Sequence, residues 1–166
     1  MQHYDFLTSW RFEGCRITEV ADVLEDTAAL PRWWPELFQE VEIVEPGGTH
    51  ALGQVARCTC RARLPYTLHF TYTVTEERYP NGSTLRSTGD LIGTGIWRLD
   101  ERGGGVDVEY SWRVDLEKPW LRAISPLLRP LLAWNHEWSM RKGEVGLARE
   151  ILRRRGVAER SGVQPR

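Results

Sequence analysis

Residues 66–74 read YTLHFTYTV. Apolar side chains stand at every second position (Tyr66, Leu68, Phe70, Tyr72, Val74), with Thr67, His69, Thr71 and Thr73 between them. A period of two sends the two sets to opposite faces of an extended chain. Aromatic and β-branched residues suit that pleated shape. The stretch predicts a strand with one apolar face that needs a cover and one face left to water, the usual arrangement in an antiparallel sheet. His69 falls on the polar face and is therefore not a catalytic candidate.

The alternation continues in both directions. In GQVARCTCRARL (53–64), Ala56, Cys58, Cys60, Ala62 and Leu64 share a face opposite Arg57, Thr59, Arg61 and Arg63. Before it, FQEVEIVE (38–45) ends in Pro46-Gly47-Gly48, a turn signal. Near the start, TSWRFEG (8–14) turns Trp10 and Phe12 to one side. Downstream, Pro80-Asn81-Gly82 leads into TLRSTGDLI (84–92) and then GIWRLD (95–100). After Gly103-Gly104-Gly105, VDVEYSWRVDL (106–116) sets Val106, Val108, Tyr110, Trp112, Val114 and Leu116 against Asp107, Glu109, Ser111, Arg113 and Asp115. Short turns between successive strands predict an antiparallel meander. Its polar face mixes acids with arginines, which reads as solvated rather than as a nucleic-acid surface.

Helical patterns flank the strands. Thr18–Asp26 carries Val20, Val23 and Leu24 on one stripe, with Thr18 as the expected N-cap. ALPRWWPELF (29–38) predicts a second short helix over Leu30–Trp34, stopped by Pro35. Neighbours on a helix point about 100° apart, so the two indoles are not expected to sink into one core face. Trp34 is expected inside and Trp33 at the border of a pocket mouth. From about Pro126 to Arg155 the pattern is helical again. Pro119 and Pro126 suit first-turn positions, and Pro130 is a candidate kink. Leu128, Leu132, Asn135, His136, Ser139, Gly143 and Gly146 form one stripe, flanked by Leu131 and Trp138, with Glu137, Arg141 and Glu144 opposite. Arg153–Arg155 suit a helix end, Gly156 suits its stop, and 157–166 reads as a disordered tail.

The chain has 166 residues, which predicts one domain over 1–156. Its net charge of -1 excludes any global pull towards nucleic acid. The start, MQHYDFLTSWRFEG, lacks the basic and apolar regions of a signal peptide, and no apolar run is long enough to span a membrane. Three cysteines, Cys15, Cys58 and Cys60, read as free thiols in a reducing cytosol. A lone C-x-C pair is not a metal set, and no zinc spacing, P-loop, nucleophile elbow or dinucleotide fingerprint occurs, so no metal or cofactor is expected. The oligomeric state is left open, a homodimer included.

The order strand, two short helices, six strands, long helix matches the helix-grip fold. RWWPELF, TGDLIGTGIWRL, VEYSWRV and above all WNHEWSMRKGEVGL (134–147) resemble the START-like (SRPBCC) superfamily, in its polyketide cyclase/dehydrase-like branch. The resemblance spans Phe6 to Ile151. It implies an α+β fold, a curved seven-stranded antiparallel sheet gripping the C-terminal helix, with a hydrophobic cavity between them. It does not choose among lipid carriers, ligand sensors, aromatase/cyclases and co-chaperone-like proteins.

Small residues on the facing surfaces fit such a hollow: Ala56, Cys58, Cys60, Ala62, Ser87 and Gly89 on the sheet, Ser139, Gly143 and Gly146 on the helix. Around the two glycines the helix is expected either to approach the sheet closely or to leave space. Nearer its start, a pocket is expected, bounded by Trp34, Trp97, Tyr110, Trp112, Leu132, Asn135, His136 and Ser139. Asn135 and His136 interrupt an apolar stripe. Buried, each needs partners or costs about 1–3 kcal/mol. They are expected either to lock the helix to the sheet or to orient a ligand. The reading favoured is a cytosolic protein binding a small hydrophobic molecule, lipid-like or aromatic. Second stands a polyketide cyclase or dehydrase, with His136 as the candidate base and Tyr110 or Asn135 donating to an oxyanion. Third stands an interaction module without a ligand.

Overall fold

A computed structural model describes residues 3–116 and 119–162. Of residues 3, 116 and 119–128 it describes only the backbone. Seven strands form one antiparallel sheet: β1 (His3–Glu13), β2 (Phe38–Glu45), β3 (Val55–Cys60), β4 (Leu68–Glu77), β5 (Gly82–Gly89), β6 (Leu91–Arg102) and β7 (Gly105–Leu116). The spatial order is β1-β7-β6-β5-β4-β3-β2. Strands β2 to β7 are therefore a meander, and β1 closes on β7. Between β1 and β2 lie α1 (Ile17–Glu25), a 3₁₀ turn (Thr27–Ala29) and α2 (Leu30–Trp33). A 42-residue helix, α3 (Pro119–Arg160), follows β7. This is the helix-grip fold, with the long helix held against a curved sheet.

The two faces divide as the alternation predicts. Ala56, Cys58 and Cys60 are buried, while Arg57 is exposed. His69 is exposed on the polar face, where its Nδ1 lies 3.3 Å from Thr59 Oγ1. Arg98 and Arg113 also point outward, pairing with Glu109 and Asp5. Burial of the sheet's apolar face, at roughly 25 cal/mol per Å², is the main force holding it to the helices.

Several boundaries differ from expectation. β1 begins five residues earlier than Thr8, which brings Tyr4 and Phe6 onto its inner face. β3 stops at Cys60 instead of running to Leu64. Gly89, at φ 104, breaks the expected strand 84–92, so Ile92 belongs to β6. The residue before α1 is Arg16 rather than Thr18, and Glu19 folds back to accept from the Arg16 backbone N–H at 2.9 Å. Helix α3 starts at Pro119, so Pro126 and Pro130 lie within it. It also continues through Gly156 to Arg160, four residues into the expected tail.

The Trp33-Trp34 expectation needs the largest correction. Both indoles are buried, each 3% exposed, and they stack with centroids 5.3 Å apart. Trp34 has left the helix, with φ -129 and ψ 51, so the 100° increment no longer separates the rings. Gly143 and Gly146 make this possible. A Cβ at Gly143 would lie 2.5 Å from the Trp34 ring, and one at Gly146 1.8 Å from the Trp33 carbonyl oxygen. The close approach expected against the sheet is thus made to α2. The Trp34 indole N–H donates to the Ser139 carbonyl oxygen at 2.9 Å, one turn before Gly143. Further along, Glu150, 3% exposed, accepts hydrogen bonds from Arg32, Arg153 and Arg154. Those arginines hold its carboxyl far below the usual carboxylate range.

Candidate functional site

Between α3, α2 and the inner face of the sheet lies a cavity of about 220 Å³. Trp34, Trp97, Tyr110, Trp112, Leu132, Asn135, His136 and Ser139 all line it. Leu128 falls among the residues whose side chains are outside the description. At one end of the cavity α3 rests on Trp33 and Trp34 through Gly143 and Gly146. Cys60 is a small lining residue, while the space over Gly95 is filled by Tyr110, Leu85 and Trp112, which therefore line the cavity there.

One wall is a run of aromatic rings. Trp97 and Tyr110 are cross-strand partners on β6 and β7, stacked at 4.0 Å. Tyr110 continues to Trp112, at 6.1 Å and nearly parallel. Trp10 bridges Trp97 and Trp34, with centroids 5.6 and 5.9 Å away. Burial raises the Tyr110 and Tyr72 phenols well above their ordinary value, so both stay protonated at any physiological pH. Tyr72 donates to Thr27 Oγ1 at 2.8 Å, which ties the sheet to the turn before α2.

The opposite wall is α3. Asn135 Oδ1 accepts from the Arg63 backbone N–H at 3.1 Å, anchoring the β3–β4 connection to the helix. Ser139 Oγ donates to the Asn135 carbonyl oxygen at 2.8 Å. His136 makes no such link through Nε2, which is buried without a hydrogen-bond partner. Its ring stacks instead on Phe6 at 4.0 Å. Burial pushes the imidazole down to about 4, so it is neutral near pH 7. Asn135 thus locks the helix to a loop, whereas His136 is held by ring stacking.

Charge is scarce around the cavity. Among the described lining residues there is no lysine or arginine, and the acid is Glu25. Glu25 accepts from His50 Nδ1 at 2.8 Å, and the His50 ring stacks on Tyr79 at 3.8 Å. His50 and Ala51 both take positive φ, 50° and 59°, in the turn that meets this end of the cavity. Burial pushes the Cys58 thiol up to about 12 and holds the Cys60 thiol well above its ordinary value, so neither is nucleophilic. No cluster of His, Cys, Asp or Glu among the described residues could hold a metal.

Sequence reasoning missed Phe6, Tyr4, Tyr66, Met140 and the Glu25–His50 end, all of which line the cavity. Counting back by twos from Trp10 through Thr8 would have reached Phe6 and Tyr4. The His50 turn carries no comparable pattern.

Comparison with known proteins agrees with this geometry. Residues 14–151 match the family described as "Polyketide cyclase / dehydrase and lipid transport". The chain belongs to that family, within the START-like (SRPBCC) superfamily. A search of curated proteins finds no match. Among solved structures, TTHA0849 from Thermus thermophilus superposes with a TM-score of 0.76 at 18% identity, covering 90% of this chain and 97% of that one. The Zhui aromatase/cyclase from a Streptomyces gives 0.69 at 15% identity, with coverages of 92% and 96%. A START superfamily protein from Mycobacterium smegmatis gives 0.69 at 11% identity, with coverages of 92% and 99%. At these identities the likeness is one of fold.

Proposed function

We propose that this chain, acting as one domain over 1–156 in the cytosol, binds a small and largely apolar molecule in the cavity between sheet and α3. The observation that carries the reading is the cavity itself: about 220 Å³, walled by stacked aromatic rings, with few polar atoms. An engineered apolar cavity of roughly 150 Å³ in another protein takes up benzene, so this one has room for a one- or two-ring molecule or a short acyl segment. Aromatic walls with a few orienting polar groups are the usual chemistry of such sites. A charged ligand fits poorly, because among the described lining residues no lysine or arginine would pair a carboxylate. The family description, with lipid transport in its wording, supports the same class.

Native mass spectrometry of freshly purified protein is the direct test. The expected result is a mass increment of a small organic molecule that organic extraction removes. Bare protein, together with no uptake of apolar dyes, would overturn the reading.

A polyketide cyclase or dehydrase stands second. Its supporting observation is that a neutral His136, whose Nε2 has no hydrogen-bond partner, and a protonated Tyr110 line the same cavity. A neutral imidazole can take a proton from between two carbonyls, and a phenol can donate to the resulting enolate oxygen. The Asn135 carbonyl is already engaged, so only its amide N–H groups remain for that task. Burial makes His136 a weak base, which ranks this reading below simple binding. A ligand-free interaction module ranks third, since such a module has no use for the hollow.

A further inference from the structure

Helix α3 turns one face to the cavity and another to solvent, and the solvent face is unusual. Trp134, Trp138, Lys142, Val145, Arg149 and Leu152 recur at intervals of three and four, within an arc of about 80°. Trp134 is 40% exposed, Val145 48% and Leu152 62%. Lys142 and Arg149 are exposed between them. Arg63, from the β3–β4 connection, lays its guanidinium over both tryptophans, 5.2 and 5.6 Å from their ring centroids. Lys142 stands 5.8 Å from the Trp138 ring.

A solvent-facing stripe is normally charged with both signs. This one alternates large apolar groups with cations. Arg63, Lys142 and Arg149 have no carboxylate within ion-pairing distance among the described residues. On the helix, Glu137 and Glu144 lie about 60–80° to one side, Glu137 is paired with Arg141, and Glu159, about 20° off the strip, comes about two turns beyond Leu152. The protein as a whole is nearly neutral, at -1, so the positive charge is local to this face.

We propose that this outer face of α3 docks on an anionic lipid surface. From Trp134 to Leu152 the helix presents a strip about 27 Å long. Tryptophan and aliphatic side chains settle among headgroups and upper acyl chains, while lysine and arginine meet anionic headgroups. A second copy of the chain is a worse occupant, because a two-fold contact would set Arg63, Lys142 and Arg149 against the same three cations. The same helix turns carry Asn135, His136 and Ser139 on their inner side, so docking would leave only α3 between membrane and cavity. The inference stands on the exposed face and does not require the cavity to be filled.

The test is co-sedimentation of the full chain with vesicles of phosphatidylcholine alone or with about a third phosphatidylserine. Binding is expected only to the serine-containing vesicles and is expected to fall steeply with added salt. Lys142→Glu with Arg149→Glu should weaken it at least tenfold. Trp134→Ala should weaken it without changing the salt dependence. Arg57→Glu with Arg113→Glu, on the sheet's outer face, should leave it within about twofold. Failure to sediment at low salt, equal binding to neutral vesicles, or equal loss with the sheet-face pair would each overturn the proposal. So would a dimer in solution that Trp134→Ala dissociates, since a second copy would then occupy the face.

Discussion

His136 is where burial and ionisation pull against each other. Its ring is stacked on Phe6 and its Nε2 has no partner, so a proton there would be a buried charge without compensation. The folded protein holds its pKa at about 4, against about 6.5 when unfolded. Above pH 6.5 both states are neutral and the group contributes no slope. As pH falls from 6.5 towards 4, the unfolded chain binds the proton first, and stability drops, by about 3 kcal/mol at most. We expect His136→Phe to flatten the fall in melting temperature over that window, read by thermal unfolding at several pH values. An unchanged slope in the variant would assign the acid sensitivity elsewhere. At this scale the sequence was partly legible: Asn135 and His136 stood out as polar residues in an apolar stripe. Their partners, a loop amide and a phenyl ring, come from elements distant in the chain and carry no local signal.

At the scale of elements, the junction of α2 with α3 decides the geometry of the hollow. Gly146→Ala should destabilise the protein by roughly 1–3 kcal/mol although alanine favours helix by about 1 kcal/mol, because the new methyl would meet the Trp33 carbonyl oxygen. Gly143→Ala meets the fused-ring carbons of the buried Trp34 indole at 2.5 Å, side chain rather than backbone, so it should also destabilise but by less. Chemical denaturation of the two variants checks the order. Glu150 ties the same two helices through Arg32. Its depressed pKa means a contribution present at neutral pH and lost as pH falls below about 4.5. Glu150→Gln should cost on the order of 2–4 kcal/mol near pH 7, and the difference from wild type should shrink in acid. Strand identity was readable because one covered face enforces a period of two. Strand ends were not: Gly89 breaks a run that composition alone continues, and Gly156 sits inside a helix whose neighbouring Arg154 and Arg155 bind Asp26 and Glu19. The stacking of Trp33 on Trp34 could not be read, since it depends on one non-helical residue and on two glycines more than a hundred positions away.

The whole molecule pairs a packed core with a cavity of about 220 Å³ between sheet and α3, and its expected response to a ligand follows from that. A molecule that binds only the folded state raises stability by RT ln(1 + [L]/Kd), so an apolar dye at a hundred times its Kd should add about 2.7 kcal/mol. Trp112→Ala, which removes one wall, should weaken dye binding by at least tenfold while the circular dichroism spectrum is retained. Fluorescence titration reads the first and far-ultraviolet spectra the second; full-strength dye binding in the folded variant would move the site elsewhere.

The order of strand neighbours has a bearing on how the chain assembles as it leaves the ribosome. β1 is synthesised first but pairs with β7, His3 opposite Asp115 and Glu13 opposite Gly105. Every other neighbour in the sheet is also a neighbour in the chain. The nascent N-terminal segment must therefore wait, unpaired and bearing Trp10 and Phe12, until some hundred further residues have emerged, while the remaining strands can zip in order of birth. β1 is thus the last of the strands to find its partner, and during that interval it is the segment a chaperone would have most reason to hold.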